Sequence, residues 1–183
     1  MIRDLLEYTR TRLGRAIPIS PQANSMEKIC RIAFDEIRAV HPEREFRFET
    51  SGNLEGLFDG ERLEQVLSNL LNNAVQHGAR SEPIVLSAQG EADKITVQVK
   101  NYGRPIPPDQ LQVIFNPLVQ IPSALADQDA DLSSSLGLGL YIAHEIVAMH
   151  GGKMVAESSD KGGTVFIARL PRVPAAGRPE AHP

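Results

Sequence analysis

The chain has 183 residues, 42% of them hydrophobic, and a net charge of −4 with both signs interspersed. That length is enough for one domain with a buried core, and the charge balance lacks the basic face of a nucleic-acid-binding protein. The single cysteine, Cys30, excludes an intrachain disulfide, no apolar run reaches the length of a membrane span, and Arg3, Asp4 and Glu7 interrupt the N-terminus where a signal peptide would be apolar. A cytoplasmic setting is expected, with no nucleic-acid partner and no membrane contact from this segment.

Residues 1–14 read as a helix, with Ile2, Leu5, Leu6, Thr9 and Leu13 recurring every three or four positions. So short a seam is not stable alone. It packs on something outside this chain, continues a longer helix, or covers this same domain. Gly14, Pro18 and Pro21 break it, and 15–24 reads as a linker. Residues 25–40 form a second helix, with Ile29, Ile32, Ala33, Ile37 and Val40 on one side and His41-Pro42 ending it. Residues 45–50 alternate Phe46 and Phe48 against Arg47 and Glu49, which predicts a strand; 54–58 is a second strand after the Ser51-Gly52-Asn53 turn.

The strongest helix spans 60–77. Asp59 caps it, Gly78 stops it, and Leu63, Val66, Leu67, Leu70, Leu71 and Ala74 form its buried stripe. Strands follow at 84–88 and 95–99, joined across 90–93, and then a short helix at 109–115. Residues 116–135, with prolines, aspartates and a serine run, are expected to be mobile. A helix at 138–150 ends at Gly151-Gly152, strands follow at 153–157 and 164–170, and 171–183 is a flexible tail. This order predicts an α/β two-layer sandwich, a mixed sheet with helices on one face.

Four constellations carry chemistry. Asn69, Asn73 and His77 are spaced i, i+4, i+8 and share a helix face. An amide oxygen is a hard ligand suited to Mg2+, which keeps several waters and takes few protein oxygens beside phosphates. The plain alternative is a solvated polar face, against which stands the poor helix propensity of Asn. Gly137 and Gly139 open the helix at 138; bare backbone there lets a phosphate approach amides that the helix dipole makes attractive to anions, although a tight turn explains glycines equally well. Finally, Asn101 ends a strand before Tyr102-Gly103-Arg104-Pro105-Ile106 and offers both a donor and an acceptor to the edge of a base. Thr164, after Gly163, places a hydroxyl at a strand start, for a ligand or for a simple hairpin.

Taken in order, these segments resemble the histidine-kinase branch of the ATP-binding superfamily that also holds gyrase B, HSP90 and MutL. The resemblance covers about residues 25–170 and implies a Bergerat-type ATP-binding fold with ATP and Mg2+ as cofactors. Asn69-Leu70-Leu71-Asn72-Asn73-Ala74 matches the asparagine box, so Asn73 is the implied Mg2+ ligand and Asn69 faces the phosphates; these two are the implied catalytic residues. Asn101-Tyr102-Gly103 stands where the family's Asp-x-Gly reads adenine, with His77 and Ile106 implied in the same pocket. Ile114-Phe115-Asn116-Pro117-Leu118 looks like the phenylalanine box, Gly137-Leu138-Gly139-Leu140 like the glycine box over the phosphates, and Gly163-Thr164 like the closing Gly-Thr. Residues 116–136 would be the ATP lid.

The chain departs from the pattern at Asn101, where the family has Asp, and at Pro105, where it has Gly. Gln76 and Gln120 stand where many members carry Lys and Arg, removing cations that would meet the γ-phosphate. Residues 1–14 look like the end of the second helix of a dimerisation and phosphoacceptor hairpin whose acceptor histidine is missing from this chain. The expected function is the catalytic domain of a two-component sensor histidine kinase, with that hairpin and a response regulator as partners and a full-length protein that is anchored in a membrane or not. His144-Glu145 is read as structural. The rival readings are an anti-sigma-type serine kinase and a degenerate nucleotide-binding or interaction module.

Overall fold

The computed structural model describes residues 2–119 and 137–173. The chain opens with helix α1 (Ile2–Arg12), then strand β1 (Gln22–Ser25), helix α2 (Met26–Val40), and strands β2 (Phe46–Ser51) and β3 (Glu55–Phe58). Helix α3 (Gly60–His77) leads to the hairpin of β4 (Ile84–Gly90) and β5 (Lys94–Asn101) and the short α4 (Pro108–Leu111). Then come α5 (Gly139–Met149) and the hairpin of β6 (Lys153–Ser159) and β7 (Gly163–Pro171).

One five-stranded sheet carries the domain, in the order β2-β4-β5-β7-β6. Its pairs are antiparallel except β2 with β4, where Phe46 stands opposite Ile84. A parallel neighbour requires a crossover, and α3 supplies it. The sheet's inward positions, among them Ile84, Leu86, Val97, Val99 and Phe166, meet the apolar stripes of α2, α3 and α5 in one core. The expected two-layer mixed α/β sandwich is the fold observed.

Two local expectations changed. Residues 46–51 and 55–58 follow each other across a turn but do not pair; β3 runs antiparallel to β1 instead, with Ala23 opposite Leu57. The turn is docked rather than free. Gly52 has φ +74°, and a Cβ there would sit 2.3 Å from the Gly90 carbonyl oxygen. Leu54 is buried beyond it, and its carbonyl accepts from Met26 N at 2.9 Å. The chain therefore leaves the sheet at that point. Residues 15–24, read as a linker, hold β1 and a buried Ile17, and Ser20 N donates to Asp59 Oδ2 at 2.7 Å.

Helix α1 lies on this same domain, by a face that hydrophobic spacing does not reveal. Glu7 is buried, paired with Arg62 of α3, and accepts from Gln65 Nε2 at 2.9 Å. Tyr8 meets Tyr141 of α5 edge to face at 6.0 Å, and the Tyr141 hydroxyl bonds to Thr11 Oγ1 at 2.9 Å. Leu6 and Leu13, from the apolar seam, remain 61% and 71% exposed.

His150 locks the ends of two helices together. It is 1% exposed; Nδ1 donates to the Ile146 carbonyl at 2.8 Å, and Nε2 accepts from the Asp59 backbone N at 3.1 Å, immediately before α3. That pattern requires the neutral ring, and burial holds its pKa below the ordinary histidine value. Above that ordinary value neither state binds a proton at this site, so its contribution to stability is complete. As pH falls through it, the unfolded chain takes up a proton that the fold resists, and stability declines. Thermal unfolding between pH 7.5 and 5, a range of about two units around the free-histidine pKa, should show the wild type losing stability more steeply than His150→Gln. At the top of the range the variant should be weaker by about 1–3 kcal/mol, for its lost buried hydrogen bonds. Parallel profiles would assign the pH dependence elsewhere.

Candidate functional site

The site is built outward from α3. Asp59 caps the helix by accepting from Arg62 N at 3.2 Å. Leu63, Val66, Leu67, Leu70, Leu71 and Ala74 are buried on one side. That face points the polar row away from the core. Asn69 is half-buried, and its Nδ2 donates to the Gly139 carbonyl at 3.0 Å, joining α3 to the first turn of α5. Asn72 is exposed and bonds back to the Ser68 carbonyl at 2.8 Å, which removes it from the site. Asn73 is half-buried, and its side-chain amide makes no hydrogen bond to another described residue. His77 is exposed at the last turn.

The C-terminal end of α3 meets the loop after β5. Gly78 and Gly103 form an isolated antiparallel bridge, and Ala79 N donates to the Tyr102 carbonyl at 2.5 Å. A Cβ on Gly103 would lie 2.3 Å from the His77 carbonyl oxygen, so only glycine fits. Asn101, the last residue of β5, is 2% exposed, and its Oδ1 is sealed from solvent with no partner among the described residues. Opposite it in the sheet stands Thr164. The Thr164 hydroxyl shares a 2.7 Å hydrogen bond with Ser158 Oγ, which also accepts from Ile106 N at 2.9 Å. Asn101, Gly103, Ile106 and Thr164 are thus gathered at one end of the site.

At the other end, Gly137 has φ +66°, and its carbonyl accepts from Leu118 N at 3.1 Å, joining the described residues on either side of 120–136. A Cβ on Gly137 would lie 2.6 Å from the Val119 carbonyl oxygen. Gly139 begins α5, whose first-turn amides and dipole offer an anion site. Leu138 is 1% exposed, so its side chain belongs to the core; Leu140 is half-buried against the same core. Phe115 packs on His144 at 5.3 Å and on Phe166 at 6.3 Å, between α5 and β7. His144 Nδ1 also lies 3.6 Å from Glu145 Oε1. Arg104 and Gln76 are exposed. Leu136, Gln120 and most of the expected lid lie outside the described residues.

Among the described residues no group of three or more His, Cys, Asp or Glu side chains is placed to hold a metal. A bound cation would therefore rest on Asn73 and the ligand's own oxygens, the arrangement that Mg2+ favours. Ser158 escaped the sequence reading. The Lys161-Gly162 turn sets Ser158 opposite Thr164, and that register was the available signal. Arg44 also escaped, because nothing in its segment shows that it folds inward to 8% exposure.

Residues 58–174 match the model of the histidine kinase-, DNA gyrase B- and HSP90-like ATPase family. The chain belongs to this family. It is an ATP-binding catalytic domain of the sensor histidine kinase type. It is 31% identical to the signal transduction histidine-protein kinase AfsQ2 of Streptomyces coelicolor, over 95% of this chain and 30% of that protein. It is equally identical, at 31%, to the sensor histidine kinase CusS of Escherichia coli K12, over 93% of this chain and 35% of that protein. The catalytic domain of histidine kinase ThkA superposes with a TM-score of 0.73 at 27% identity, covering 85% of this chain and 98% of that one. ThkA in complex with the response regulator TrrA gives 0.75 at 26% identity, over 94% of this chain and 46% of that one. This chain spans about a third of the length of the AfsQ2 and CusS proteins. No helix among the described residues is long and apolar enough to cross a membrane.

The close approach at Gly103 makes a specific demand on this histidine kinase domain. Gly103→Ala should force the α3 terminus and the β5 loop apart, lowering stability by about 2 kcal/mol in urea unfolding. An unchanged midpoint would show that the two segments separate without cost.

Proposed function

We propose that this domain binds Mg·ATP along α3 and transfers the γ-phosphoryl group to a histidine on a dimerisation hairpin, from which it passes to a response regulator. The observation that carries the reading is the Asn69 to Gly139 hydrogen bond at 3.0 Å, which ties the asparagine row to the glycine-opened helix terminus. In this reading Asn73 ligates the metal, and Asn69 faces the phosphates while holding the start of α5. The backbone at Gly137, Leu138, Gly139 and Leu140 cradles the phosphates. Asn101, Gly103, Ile106, Thr164, His77 and Phe115 line the base end. Bound Mg2+ would neutralise charge on the β- and γ-phosphate oxygens.

The protein's own contribution is positioning, since the nucleophile is an imidazole nitrogen from the hairpin. A nitrogen–phosphorus bond forms as the bond from the γ-phosphorus to the bridging oxygen breaks, ADP leaves, and the imidazole proton is lost. α1 would be the last part of that hairpin, and the location cytoplasmic. The exposed, uncharged Gln76 and the neutral Asn101 favour one second reading, a nucleotide-binding module that no longer transfers phosphate.

Calorimetric titration with a non-hydrolysable ATP analogue, with and without Mg2+, tests the site. Binding should depend on Mg2+, and Asn73→Ala should weaken it at least about tenfold, the scale of one lost charge-assisted contact. Asn69→Ala should weaken it as well, without abolishing the Mg2+ dependence. Phosphotransfer to an added hairpin, followed by acid-labile ³²P, separates the kinase from the silent module. Absence of any binding at about millimolar nucleotide, a free energy near −4 kcal/mol, would remove the proposal.

A further inference from the structure

Two buried side chains beside the base end of the site carry polar atoms without partners among the described residues. Arg44, between α2 and β2, is 8% exposed. Its Nη1 donates to the Gly78 carbonyl at 3.2 Å, while Nε and Nη2 are sealed from solvent with no hydrogen bond among the described residues. A buried guanidinium without a carboxylate partner is costly. The second group is the Asn101 amide, 2% exposed, whose Oδ1 is likewise sealed and unpartnered. Gly78 lies between them. A Cβ built on Gly78 would be 3.0 Å from Arg44 Nη2 and 3.3 Å from Asn101 Cβ, so the guanidinium and the Asn101 Cβ flank the same glycine.

We infer that Arg44 is the positioning residue of the base site, fixing which end of the Asn101 amide faces the nucleotide. This rests on the proposal that the nucleotide base lies at Asn101. The carbonyl end of an amide dipole is drawn toward a nearby cation, and low dielectric around both groups strengthens that pull. Of the Asn101 amide, only the oxygen is both sealed and unpartnered. The NH2 end is left to meet the ligand. A carboxylate at this position would present acceptors to both sides; the amide presents an acceptor inward and a donor outward. The base edge is then read by a donor. In adenine the matching acceptor is a ring nitrogen, N1, and the exocyclic 6-amino group contributes little to recognition.

Competition calorimetry on the 183-residue chain, with triphosphates differing only in the base, tests this directly. ATP and purine riboside triphosphate, which lacks the 6-amino group, should bind within about twofold of each other, while 1-deaza-ATP should bind about tenfold more weakly, the scale of one neutral hydrogen bond. Arg44→Lys, which keeps the charge, should preserve that order. Arg44→Met should release the amide and shift the dependence toward the 6-amino group. Far-ultraviolet circular dichroism confirms that each variant is folded; if Arg44→Met does not fold, Arg44→Lys and the wild-type analogue series decide. A larger loss on removing the 6-amino group than on removing N1, or no loss from either, overturns the inference while leaving nucleotide binding intact. Failure of the wild type to bind any of the triphosphates removes the proposed function itself.

Discussion

Helix α3 is the constraint from which the site is laid out. Its buried stripe meets the sheet and the neighbouring helices, with Leu71 and Ala74 fully enclosed. A helix cannot turn that face inward without turning the opposite face outward, and the 3.6-residue period then fixes where Asn69, Asn73 and His77 project. The same helix is held at three points. Asp59 and His150 set its start, Asn69 ties its middle to Gly139, and Gly78 bridges to Gly103 at its end. The amide row is therefore positioned by packing, and its side chains need no contacts with one another.

The glycines do related work at close quarters. Gly103 sits against the His77 carbonyl, and Gly163, with φ +74°, against the Asn101 carbonyl, at distances that no side chain tolerates. They let the end of α3, the loop after β5 and the start of β7 approach closely. There a short hydroxyl relay from Ile106 N through Ser158 to Thr164 spans two strands and the loop after β5. The relay is made of neutral groups only.

Helix α1 is held to the domain by its polar side. Its polar and aromatic side, Glu7, Tyr8 and Thr11, is bound to α3 and α5. Its leucines face away. Burying the ion pair of Glu7 with Arg62 is tolerated because Gln65 satisfies the second carboxylate oxygen. Arg62 and Gln65 lie on α3 one to two turns before Asn69, so α1 and the amide row share one helix as support.

Much of this protein was legible in the sequence because periodicity and turn chemistry are local. The α3 stripe, its Asp59 cap, the Asn69 and Asn73 spacing, the glycines at 137 and 139 and the sandwich fold all follow from residues near one another in the chain. The tertiary structure decided what depends on distant partners. It paired β3 with β1 instead of β2, because the docked Gly52 turn directs the chain off the sheet. It put the Leu138 side chain in the core, bound α1 by its polar face, and brought Arg44 from the far side of the chain to stand beside Asn101. A hydrophobic pattern states which face is buried but not what covers it, and a buried charge is identified only by neighbours that folding brings together.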